Sequence, residues 1–240
     1  MNVFIIIGSI VTFLVVFIVV KRNKKPSKRK PSSILLSTEN DKPIDFGYKM
    51  VWIAVKTKDY NRIAEILELG TLEAANWESG IELAYKNGIF ITPSIGLWTL
   101  VVGMPLLGDG TLKDVECLEV KLNRLSEEFG EAQSFGSHRV VEYHHWMKSV
   151  HGKTKRVYAY IGEKGENIKV CGALTELEMS LNLFNSFSKE AKDDDYLERD
   201  NLDYADEDLV MQIAGNWSIN PIKLSERTDI EDNLGFVAYY

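Results

Sequence analysis

The chain opens on an unbroken apolar block, and its later apolar positions are spaced in ways that separate helices from strands. Val3–Val20, VFIIIGSIVTFLVVFIVV, holds no charge, and at ~1.5 Å rise per residue a helix of this length just crosses a ~30 Å hydrocarbon layer. A second uncharged run, Ile89–Leu107, is as long but broken by Pro93, Pro105, Gly96 and Gly103. It reads as two buried strands, Ile89–Thr92 and Trp98–Val102, turning through Pro93–Gly96, rather than as a second span.

Elsewhere the period alternates between two and 3.6. Met50–Lys56 reads as a strand, and Asp59 caps a helix Tyr60–Leu67 that ends at Gly70. Thr71–Trp77 reads as extended and Ser79–Lys86 as a short helix. Thr111 opens a long helix to Phe129, with Val115, Leu118, Leu122 and Leu125 on one face. A meander of Arg139–Trp146, Arg156–Ile161 and Asn167–Cys171 follows. Thr175 with Glu178 predicts a capping box and a helix to Phe187. Ser188–Asp208 reads as a mobile acidic loop, Glu207–Asn216 as a helix capped by Asp206, and Asn220-Pro221 as the start of a short last one. Strands and helices mix without a regular βαβ period. The predicted class is therefore α+β, a single domain with a mixed or antiparallel sheet and packed helices behind one N-terminal transmembrane helix; α/β is the alternative.

Charge changes this picture in one respect. Residues through Lys30 carry seven basic and no acidic side chains, so against a net −7 for the whole chain the remainder carries −14. Basic residues that follow an apolar block mark its cytoplasmic side. The expected order is an extracytoplasmic stub (1–2), an anchor (3–20), a basic flexible linker (21–45) and an acidic cytoplasmic domain (46–240). The expected location is a bacterial inner membrane, crossed once. The bilayer is then a partner of Val3–Val20 and Lys21–Lys30. An acidic domain repels nucleic acid and suits a basic protein partner. Leu209–Leu224 imitates a helix-turn-helix, but its acidic surroundings favour an αα-hairpin docked on the sheet.

Candidate chemistry is sparse. Cys117 and Cys171 are isolated, without C-x-x-C spacing. No phosphate loop, nucleophile elbow or EF-hand loop is present, and no cofactor is indicated. All four histidines fall between His138 and His151. On a single strand His138, Glu142 and His144 would share one face, a donor set that could serve a general base or a catalytic metal. Against this stands the plainer reading of a polar strand face, and Arg139 beside the set disfavours a cation, so no metal is expected. Tyr143, Trp146, Trp77 and Trp217 are the candidate binding residues.

Several phrases go beyond composition. Trp77-Glu78-Ser79-Gly80-Ile81, Trp98-Thr99-Leu100-Val101-Val102-Gly103, His138-Arg139-Val140-Val141-Glu142-Tyr143-His144 and Ala214-Gly215-Asn216-Trp217-Ser218 with Asn220-Pro221 together resemble a family of uncharacterised bacterial proteins. The resemblance covers most of Met50–Leu224 and implies a bacterial protein and one co-folding unit. It brings no established activity, and it draws attention to His138 and His144 over His145. The expected function is a membrane-tethered protein-binding domain, with an immunity-type protein that neutralises a toxin as its concrete form. The alternatives are a metal-assisted or histidine-dependent enzyme and a small-molecule sensor.

Overall fold

A computed structural model describes residues 35–239. The predicted span Val3–Val20 and the basic segment Lys21–Lys30 lie outside the described residues. Among the described residues no helix is long and apolar enough to cross a membrane, and Ile89–Leu107 contributes two strands buried at every position.

The domain is α+β, built on one nine-stranded sheet. The strands are β1 (Met50–Val55), β2 (Glu73–Ala75), β3 (Ile89–Ile91), β4 (Thr99–Val102), β5 (Glu131–His138), β6 (Tyr143–Val150), β7 (Lys153–Ile161), β8 (Glu166–Gly172) and β9 (Gly235–Ala238). They lie in the order β2-β9-β3-β4-β1-β5-β6-β7-β8. Every pairing is antiparallel, which narrows the mixed-or-antiparallel expectation. Four α-helices accompany the sheet among the described residues: α1 (Tyr60–Ile66), α2 (Trp77–Tyr85), α3 (Leu112–Phe129) and α4 (Glu207–Trp217).

Both faces of the sheet are covered. On one, Ile63 of α1 and Val115, Leu118, Leu122 and Leu125 of α3 meet Val51, Ile53, Val101, Met147 and Val157. On the other, Ile81 and Leu83 of α2 and Val210 and Met211 of α4 meet Trp52, Phe90, Phe135, Trp146 and Tyr158. An antiparallel sheet with one wet face alternates apolar and polar residues. Here β1, β3 and β4 are buried at every position, which is why they read as continuous apolar runs.

Local signals explain the helix starts. Asp59 accepts from the Arg62 amide at 3.0 Å. Thr111 and Asp114 form a reciprocal box, Asp114 N donating to Thr111 Oγ1 at 3.3 Å and Thr111 N to the Asp114 carboxylate at 3.0 Å. The α1 helix stops earlier than Gly70: Leu67 caps it and Glu68 takes a left-handed φ of 59°.

Three predicted elements differ. The strand expected at Arg139–Trp146 begins at Tyr143, and residues 139–142 form the turn after β5. The helix expected from Thr175 to Phe187 is a single 3-10 turn, Glu178–Ser180. The Glu178 carboxylate, fully buried, accepts from Trp146 Nε1 at 2.8 Å and Arg156 Nε at 2.7 Å, besides Thr175 N at 2.9 Å. It serves a buried polar network rather than a helix. The acidic segment 188–208 is pinned by Tyr196, which is buried in the core cluster.

Residues 35–45, assigned by sequence to the linker, lie against the domain. Asp41 receives the Trp77 and Glu78 amides, both at 2.8 Å, at the start of α2. Leu36 and Ile44 pack on the core.

Candidate functional site

The displaced strand separates the expected histidine set. His138 closes β5 and pairs with Tyr143, whereas His144 on β6 pairs with Ser137. Because side chains alternate along a strand, His144 shares a sheet face with Trp146, while His138 lies on the opposite face with Tyr143. Glu142 sits in the turn between them with φ 50°. The premise of one strand and one face is therefore overturned. Among the described residues no three His, Cys, Asp or Glu side chains are placed to hold a metal ion.

His144 and Glu142 nevertheless meet other acids. A cleft of about 340 Å³ is lined by Arg139, Glu142, His144, Asp206, Glu207 and Asp208. The acids belong to the start of α4. Asp206 is its cap, accepting from the Leu209 amide at 2.7 Å, and Glu207 and Asp208 occupy its first turn, where negative charge is favoured by the helix dipole. Glu207 also accepts from Ser137 Oγ at 3.0 Å, which fastens α4 to β5 directly opposite His144. His144 is only 4% exposed. Burial lowers the pKa of its imidazole, opposed by the charges of Asp206 and Glu207. Its Nδ1 has no hydrogen-bond partner among the described residues, so one buried polar atom at this cleft is unsatisfied.

Tyrosines lie next to the residues that line the cleft. Tyr48 donates to Asp208 at 3.3 Å, and Tyr85 donates to the Tyr48 carbonyl at 3.0 Å. Tyr160, paired with His144 across β7, feels the Glu142 charge and contacts the Tyr204 ring at 6.2 Å. Tyr48, Tyr85 and Tyr204 are 44%, 44% and 43% exposed, and Val140 in the neighbouring turn is 70% exposed.

The aromatic candidates from sequence lie mostly elsewhere. Tyr143, Trp146 and Trp77 are buried in the two cores and offer no surface to a partner. Trp217 is partly buried, tilted against Phe135, with Lys148 Nζ 5.5 Å from its ring. His145 and Ser134 are 3.0 Å apart but form no catalytic dyad. Ser134 donates its hydroxyl proton to the Trp52 carbonyl at 3.2 Å, so His145 Nε2 must be the donor in their contact, and His145 is completely buried. The residues missed by sequence are Asp206, Glu207 and Asp208 as a site and the exposed tyrosines. The only signal was the acid cluster, which by itself describes a solvated loop.

No family model, curated protein or solved structure matches this chain.

Proposed function

We propose that the chain is a membrane-tethered protein-binding domain whose acidic, tyrosine-bordered cleft takes a basic segment of a partner protein. The observation that carries this reading is the convergence of Glu142, Asp206, Glu207 and Asp208 on one cleft. Half-exposed Tyr48 donates to Asp208 of this cleft, and half-exposed Tyr85 donates to the Tyr48 carbonyl beside it. Complementary charge steers association and rejects wrong partners. Tyrosine is enriched among the residues that carry binding energy, because a large rigid surface is ordered at small entropic cost. The −14 carried beyond Lys30 extends the same field over the whole domain. Tethering at the cytoplasmic face of a bacterial inner membrane would place this surface where membrane-active or translocating proteins arrive. An immunity-type role, blocking a basic toxin, is the concrete form.

The test uses a photo-crosslinking residue in place of Tyr204 in the native cell, followed by rebinding of the identified partner to purified full-length protein. Glu142→Lys with Asp208→Lys should weaken that partner by about tenfold or more and flatten its salt dependence. Equal affinity for the doubly reversed variant, or no protein cross-linked from this face, overturns the proposal.

A further inference from the structure

A second concavity lies on another part of the sheet and shares no lining residue with the acidic cleft. The run Ile89–Leu107 contains only three hydroxyl side chains, Thr92, Ser94 and Thr99. All three line this one cavity of about 490 Å³, where β3 turns into β4. They are 3%, 6% and 1% exposed. Hydroxyls buried in the most apolar stretch of a chain incur desolvation unless they are hydrogen-bonded.

Their hydrogen bonds define what the cavity floor offers. Thr99 donates to the Thr57 carbonyl at 2.7 Å, so it can only accept in its 3.4 Å contact with Ser94. Ser94 is then the donor there, and its oxygen lone pairs remain available. Thr92 Oγ1 accepts from the Leu100 amide at 3.1 Å, which leaves its own proton to give. The floor thus presents one donor and one acceptor. Asn40 and Asn233 add amides, the Asn233 amide already giving one of its two protons to Glu231 at 3.4 Å.

The walls carry charge that is already matched. Lys58 Nζ lies 2.6 Å from Glu231, and this hydrogen bond holds the Glu231 carboxyl below its ordinary value. Tyr60 and Phe236, stacked at 4.2 Å, form an aromatic side. A ligand with net charge would have to compete with the ion pair. A purely apolar ligand would leave the free Thr92 proton, the Ser94 lone pairs and the amides without partners, and unmet polar groups shielded from water are costly.

We infer that this cavity binds a neutral, polyhydroxylated small molecule of mono- to disaccharide size, its hydroxyls meeting Thr92, Ser94, Asn40 and Asn233 and its C–H face meeting the Tyr60–Phe236 wall. The volume lies within the ordinary range of small-molecule sites. The inference is independent of the protein-binding reading, because the two sites share no residue.

The experiment titrates glucose, N-acetylglucosamine and sucrose, with inorganic phosphate as the charged comparison, into full-length protein in a sugar-free detergent. Saturation-transfer NMR and calorimetry read binding. At least one sugar should bind with a dissociation constant on the order of 1 mM or tighter. Asn233→Ala, on the cavity margin, and Thr92→Val should each weaken it by about fivefold or more. Asp208→Lys, at the other cleft, should leave it unchanged. Thermal unfolding confirms that each variant folds, and Asn233→Ala keeps the test valid if Thr92→Val does not. Absence of sugar binding at about 10 mM, equal binding by folded Asn233→Ala, or binding of phosphate in preference to every sugar overturns the inference.

Discussion

Burial holds the His145 imidazole down at a pKa of about 3, against an unperturbed 6.5, with the neighbouring His144 adding to the effect. Its folded-state pKa lies below the unfolded value, so the unfolded chain takes up a proton first as pH falls. The stability this residue contributes is complete above about pH 6.5 and is lost progressively below it, by about 1.4 kcal/mol per pH unit. Urea midpoints measured from pH 7 to pH 4 should therefore fall less steeply in His145→Gln by about one proton. An identical slope would mean that the imidazole is solvated. His144 shifts in the same direction, also from burial, but Asp206 and Glu207 pull against it. The pairing of two adjacent histidines is plain in the sequence. Which of them meets a cleft and which a core depends on the register of β6, where a slip of one residue exchanges the faces.

At the level of elements, α2 lies close against the sheet, with Gly80 facing Phe90 of β3. Gly80 lies inside α2, where glycine is unfavourable by roughly 0.5–1 kcal/mol relative to alanine. A Cβ there would come closer than 3.0 Å to the Phe90 ring, and one at Gly235 of β9 would come as close to the same ring from the neighbouring strand. Phe90 is thus slotted between two glycines. Gly80→Ala should lower stability by about 1–3 kcal/mol despite its better helix propensity, and Phe90→Leu in the same chain should recover part of the loss. Chemical denaturation measures both, and a stabilised Gly80→Ala would show that the helix stands further off. Strand β5 was illegible for the opposite reason. Its sequence EAQSFGSH has small and polar residues and no β-branched one. Its place between β1 and β6 supplies the burial that its composition does not announce. The missing helix after Thr175 has a similar cause, since the buried Arg156 and Trp146 claim the Glu178 carboxylate.

For the whole molecule, the boundary of the folded unit falls ahead of Phe46. Asp41 serves the start of α2, Ser37 accepts from the Asn76 amide at 2.8 Å, and Asp45 holds Ser225. A chain lacking residues 1–34 should partition into the soluble fraction and unfold in one cooperative step, whereas the full chain should sediment with membranes. Removal of residues 1–45 should lower the unfolding midpoint, because the Asp41 carboxylate that receives the first amides of α2 and the contacts of Leu36 and Ile44 go with it. Equal midpoints for the two truncations would show that the docked segment contributes nothing. The sequence by itself determined the α+β class, the two core strands of the uncharged run, and the starts of α1, α3 and α4. These follow from local chemistry: hydrophobic period, a capping carboxylate or hydroxyl, a proline or glycine where the chain turns. The tertiary structure decided the rest. Strand order put β9 between β2 and β3, and register sent His138 and His144 to opposite faces. The docking of α4 on β5 and β6 turned capping acids into one wall of a cleft. Such arrangements depend on contacts between residues far apart in the chain, whose pairing no local period encodes.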